Sequence, residues 1–122
     1  MQRLVGYGFR ITGEWRTPES RVHRPPWLRR APGLYAFVVS GRVCYIGKAD
    51  MLHRRLRNYS NRCFRPLGSK AHRYCHGQIL ETLKAGLAVE VYALIFSGKG
   101  VALTKRETEL IKEIDPPWNR TA

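Results

Sequence analysis

Apolar positions along the chain change their period several times, and each change marks an element. GLYAFVV at 33–39 is an unbroken aromatic and β-branched run, VCYIG at 43–47 is a shorter one, and SGR lies between them. Two such runs joined by a tight turn predict an antiparallel hairpin. MLHRRLRNY then predicts a short helix, and CFRPLGS a loop. KAHRYCHGQILETLKAG predicts a longer helix with a glycine stop, and LAVEVYALIF a third strand. After the turn SGKG, VALTKRETELIKEI has helical periodicity, which the proline pair of DPPWNR ends. No internal repeat is visible. The element order predicts a mixed α/β (α+β) domain, with a small, mainly antiparallel sheet flanked by helices, over residues 32–122. Residues 1–31 read as a basic arm, because PESRVHRPPWLRRAP follows neither period. Within that arm LVGYGFRI alternates well enough for one short strand.

Two helices place a charge on their apolar stripe. At about 100° per residue, Leu52, Arg55, Leu56 and Tyr59 share a face, and so do Leu103, Glu107, Leu110, Ile111 and Ile114. Arg55 reads either as a snorkelling edge residue or as an anion-binding fork with Tyr59 one turn on. Glu107 costs several kcal/mol on such a face unless met by cations or donors, roughly speaking. It reads either as half of a structural ion pair or as a ligand for a hard divalent cation. In the hairpin, a three-residue loop Ser40-Gly41-Arg42 puts Tyr35 and Tyr45 on one sheet face, whereas a two-residue loop separates them.

Charge narrows the partner. The 122 residues carry 22 Lys and Arg against 9 Asp and Glu, a formal net charge of +13, which favours a polyanion. No apolar run approaches membrane-spanning length, and no basic amphipathic helix suits a membrane surface. The N-terminus lacks a secretory pattern, and Cys44, Cys63 and Cys75 form no CxxC pair, so a reducing, cytoplasmic setting is expected.

Gly33-Leu34-Tyr35, Tyr45-Ile46-Gly47, Arg55 with Tyr59, Glu107 and Asn119, in that order and spacing, resemble the GIY-YIG nuclease superfamily. CYIGKA, the arginine helix and PPWN are most similar to its compact members, a phage endonuclease II and a group of type II restriction enzymes. The resemblance covers about residues 32 to 119, and Leu34 replaces the usual isoleucine. It implies a three-stranded antiparallel sheet flanked by helices and hydrolysis of double-stranded DNA with Mg2+, or Mn2+ in its place. It also implies catalytic roles for Tyr35, Tyr45, Arg55, Tyr59, Glu107 and Asn119, with Glu107 as metal ligand. A homo-oligomer is compatible with it.

From the residues, water is the expected nucleophile, since no Ser or Cys adjoins a base. Tyr35 is the expected general base, with Lys48 lowering its pKa. Arg55 is expected to neutralise the phosphorane oxygens, with Tyr59 adding a hydrogen bond, while Tyr45 orients water or phosphate. Asn119 either supports the site or caps the chain after Pro116-Pro117. His72, Cys75 and His76, near Cys63, lack a compact zinc-ligand pattern and read as helix surface with partly packed side chains. Arg24, Trp27, Arg29 and Arg30 of the arm suit a nucleic-acid backbone, as do Arg54, Arg57, Arg62, Arg65, Lys70 and Arg73. For Trp27 the other reading is packing on the domain. The rival functions are a nucleic-acid-binding module without chemistry and an RNA-directed protein, the latter without the aromatic strand patterns of common RNA modules.

Overall fold

In a computed structural model, the chain folds in the order α1 (Gln2–Gly6), β1 (Arg10–Trp15), β2 (Gly33–Val39), β3 (Arg42–Ala49), α2 (Leu52–Asn61), α3 (Lys70–Lys84), β4 (Val89–Ile95) and α4 (Val101–Ile114). The structure describes residues 2–17, 27–28, 31–61, 70–96 and 100–119, with the backbone alone at 2, 58, 60–61 and 70–73. Loop residues Arg62 and Arg65 and arm residues Arg24, Arg29 and Arg30 lie outside these, as do the side chains of Lys70, His72 and Arg73.

β2 is central because it is apolar on both faces, and it accepts β3 on one side and β4 on the other. The sheet has four antiparallel strands in the order β1-β4-β2-β3, where the sequence predicted three. The addition is β1, and it also corrects the expected strand over LVGYGFRI. That segment divides, its first half winding into α1 and its end beginning the strand. Gly8, at φ 101°, takes a backbone conformation that few other residues reach, and its N–H donates to Val5 O at 2.9 Å. The turn ends α1 and sends both Leu4 and Phe9 into the core.

Alternation along the strands divides the interior into two layers. On one face Tyr35 and Phe37 of β2 meet Leu52, Leu56 and Tyr59 of α2, Cys75, Ile79 and Leu83 of α3, and Trp15. On the other, Leu34, Ala36 and Val38 meet Leu4, Phe9, and Leu103 and Leu110 of α4. Trp27 is partly buried against the first layer, with the Arg10 guanidinium 4.1 Å from its ring centre, and Leu28 is fully buried.

The hairpin register resolves the question of the two tyrosines. Val39 pairs with Arg42, so the loop is the two-residue Ser40-Gly41, with φ of 48° and 78° as the turn favoured between twisted strands requires. That loop alone would put Tyr45 on the face opposite Tyr35. Pairing then shifts between Phe37 and Val38, leaving Cys44 as a bulge and Tyr45 opposite Phe37. Cys44 and Tyr45 thus both face the layer that holds Tyr35.

α3 ends as expected at Gly86, with Leu87 N–H donating to Thr82 O at 3.2 Å. α4 ends at Asp115, in the left-handed region, before Pro116. The tail then crosses the outer edge of β3, where Trp118 N–H donates to Cys44 O at 2.8 Å. Among the described residues no helix is long and apolar enough to cross a membrane.

Candidate active site

The two motif glycines are spatial requirements. A Cβ at Gly47 would lie 2.5 Å from Cζ and Oη of Tyr35, so the Tyr35 phenol rests across the backbone of its β3 partner. A Cβ at Gly33 would collide with Leu94 O of β4 and sit 2.7 Å from Leu52 of α2. Close approach at these two points lets α2 and the Tyr35 ring lie flat on the sheet.

Three phenols gather there. Tyr35 Oη lies 3.1 Å from Tyr59 Oη, and the Tyr35 and Tyr45 rings are 6.0 Å apart. Tyr35 and Tyr59 are fully buried, whereas Tyr45 is partly exposed. Burial raises the Tyr35 pKa to about 12, opposed by the Arg55 charge and by hydrogen bonds from Tyr59 and Tyr45. Tyr59 and Tyr45 are raised as well, by burial first and then by the Tyr35 charge. Burial thus disfavours all three phenolates, and the Arg55 charge opposes it at Tyr35. The expected roles change in two respects. The cation acting on Tyr35 is Arg55 rather than Lys48, and burial outweighs it. The Tyr59 hydroxyl faces Tyr35 rather than an open surface.

Tyr59 is fixed from behind by α3, whose His76 ring stacks on it at 4.7 Å and 18°. Cys75 and His76 are buried, not surface residues. Among the described residues no three His, Cys, Asp or Glu side chains gather as a metal site, and Cys63 and the His72 side chain lie outside them.

Arg55 lines a cleft with Lys48, Ala49 and Asp50 at the end of β3, and with Gly100, Leu103 and Thr104 at the start of α4. Its volume, about 130 Å3, is small beside a metabolite pocket. Two cationic side chains and the N-terminal turn of α4 make it attractive to an anion such as one phosphate group. Lys48 Nζ donates to Thr104 Oγ1 at 2.5 Å. Thr104 was missed in the sequence, although it precedes Glu107 by three residues and so shares its helix face.

Glu107 is half-buried one turn along α4. Burial raises its carboxyl pKa above the ordinary value, opposed by the charges of Lys48 and Arg55 and by the Lys48 backbone amide. The described ion pairs are Arg16–Glu14, Lys84–Glu81 and Arg106–Glu109, so among the described residues Glu107 has no salt-bridge partner. A desolvated carboxylate near, but not bonded to, two cations suits a hard divalent cation. Mg2+ needs one or two protein carboxylates and completes its shell with water and phosphate oxygens. The donor set fits such an ion, and Glu107 is the residue that would hold it.

Asn119 works as a clamp on the edge strand. Its Oδ1 accepts from Ile46 N–H at 2.9 Å, and its Nδ2 donates to Ile46 O at 2.7 Å, pairing one amide with the residue between Tyr45 and Gly47. Of the residues assigned to nucleic acid, Arg54 and Arg57 are exposed on α2, lining a surface groove with Met51 and His53.

Comparison with known proteins bears on the family and the fold. No protein-family profile matches the chain. A segment of UvrABC system protein C from Chlorobium chlorochromatii is 32% identical over 93 residues, which are 75% of this chain but only 13% of that protein's length. Bacteriophage T4 EndoII, solved as a mutant, superposes with a TM-score of 0.77 at 21% identity, covering 98% of this chain and 97% of its own. The N-terminal endonuclease domain of Thermotoga maritima UvrC, bound to magnesium as its catalytic divalent cation, gives 0.53 at 26% identity over 76% of this chain and 88% of its own. Restriction endonuclease HPY188I with product DNA gives 0.56 at 18% identity, over 91% and 75%. With its motifs in order and its fold shared with these structures, the chain belongs to the GIY-YIG nuclease superfamily.

Proposed function

We propose that the protein is a divalent-cation-dependent endonuclease that hydrolyses phosphodiester bonds of double-stranded DNA. The observation carrying this reading is Glu107, a half-buried carboxylate without an ion-pair partner among the described residues, set between Lys48 and Arg55. A binding module gains little from that arrangement, because desolvating a carboxylate costs stability and its charge repels a polyanion.

In the proposed mechanism, Arg55 grips the non-bridging oxygens of a phosphate in the cleft, and its permanent charge offsets the charge that builds during attack. Glu107 would hold Mg2+, which would supply Lewis-acid stabilisation of the phosphate. Tyr45, the partly exposed phenol, orients the incoming water. Tyr35 Oη, as phenolate, takes the water proton, while Tyr59 donates to the same oxygen and fixes it. Arg55 favours the phenolate. Asn119 acts on none of the reacting atoms and holds the Tyr45-Ile46-Gly47 backbone in register. With Glu107 as the one carboxylate assigned to the metal, the reading is one ion rather than two, since a pair about 4 Å apart needs more anionic ligands. Arg54, Arg57 and the remaining basic residues carry the flanking backbone.

The decisive assay is nicking of a supercoiled plasmid with Mg2+ and with EDTA, by the wild type and Glu107→Ala. Cleavage by the wild type with Mg2+ alone, lost in the variant while DNA binding persists, is the expected result. Binding without cleavage under every condition would instead leave a non-catalytic DNA-binding module.

A further inference from the structure

Lys48 and Glu107 present a puzzle. Opposite charges on two packed elements, near enough for the Lys48 charge to act on the Glu107 carboxyl, should close into a salt bridge, since a lysine ammonium is mobile on its four-carbon stem. Among the described residues they do not. The ammonium donates instead to the neutral Thr104 hydroxyl, at 2.5 Å, on the helical turn just before Glu107. Fixing a lysine side chain costs rotamer entropy, so a specific acceptor is needed to hold it.

We propose that Thr104 is a positioning residue that parks the Lys48 ammonium and keeps the Glu107 carboxylate open to a divalent cation. The inference rests on the nuclease reading of the same cleft. Thr104 supplies an acceptor without a charge, so Lys48 stays beside the cleft, where it attracts phosphate, and does not compete for the carboxylate oxygens. Without the hydroxyl, the ammonium is released to turn to a carboxylate, and Glu107 lies one turn along α4 from Thr104; an ammonium bound there both occupies an oxygen lone pair and repels the incoming ion. The spacing allows this, because residues three apart on a helix are neighbours on its surface. Thr104 is exposed on α4, so its side chain contributes little to the core.

The test is calorimetric titration of Mg2+ into metal-free protein, in parallel with nicking assays across Mg2+ concentrations. Thr104→Val keeps the shape and removes the acceptor. It is expected to weaken Mg2+ binding about 10-fold, the scale on which ligand-supporting residues act. Excess Mg2+ should restore its nicking rate, and Thr104→Ser should bind as the wild type does. Thr108→Val, on the same exposed helix, is expected to change neither quantity. Wild-type Mg2+ affinity in Thr104→Val would overturn the inference while leaving the nuclease reading intact. Absence of both Mg2+ binding and nicking in the wild type would overturn the nuclease reading, and this inference with it.

Discussion

Tyr35 carries the chemical argument at the scale of single residues. Burial holds its pKa near 12, so at neutral pH the phenolate is a small minority. A base that works only when deprotonated then gives a rate rising with pH, by about tenfold per unit, through the neutral and mildly alkaline range. The pH profile of single-turnover nicking should therefore climb, with no plateau below about pH 9. Tyr35→Phe should retain DNA binding and lose about 10²- to 10⁴-fold in rate, the span of general-base catalysis. Near-normal cleavage by that variant would remove Tyr35 from the role. Much of this site was legible in the sequence, because Arg55 and Glu107 violate the periodicity of their own helices and so announce themselves. What was not legible is how strongly the aromatic layer desolvates the phenols. Pairing through space sets that balance, and Trp15, 20 positions before Tyr35 in the chain, helps to build the layer.

At the scale of elements, the hairpin shows why local pattern alone could not place two tyrosines together. Its strands were evident from composition, but the face of Tyr45 depends on one unpaired residue, Cys44, and nothing about a cysteine predicts a bulge. The N-terminal segment shows a related limit. Alternation over LVGYGFRI is compatible with a strand, yet the chain uses Leu4 as a helix residue because the layer beneath α4 needs filling, and tertiary packing overrides so short a pattern. Asn119 extends β3 by one amide, and its contribution can be separated from the chemistry. Asn119→Ala removes two hydrogen bonds to Ile46 and should lower unfolding free energy by about 1 to 3 kcal/mol. Urea denaturation measures this. Hydrogen exchange should locate the loss at the Ile46 amide, while unchanged stability and protection would mean that the clamp is dispensable.

For the whole molecule, a net charge of +13 is spread over a fold with few ion pairs among its described residues. Such a surface binds nucleic acid largely by releasing counterions, so affinity should fall steeply with salt. Replacing exposed Arg54 and Arg57 with Gln should flatten the plot of log affinity against log salt by about one unit for each phosphate that is no longer neutralised. Sequence preference should be unaltered, and a changed preference would reassign these residues to base reading. The same charge bears on the sheet, whose outer strands are open to pairing with other chains. The tail laid over β3 occupies backbone groups at Cys44 and Ile46, and the opposite rim, β1, is irregular near Thr12 and flanked by Arg10 and Arg16. Each rim thus discourages the strand-upon-strand stacking by which exposed sheets grow into fibrils. On the proposed function several copies share one polymer, and such rims let neighbours lie side by side without seeding an aggregate.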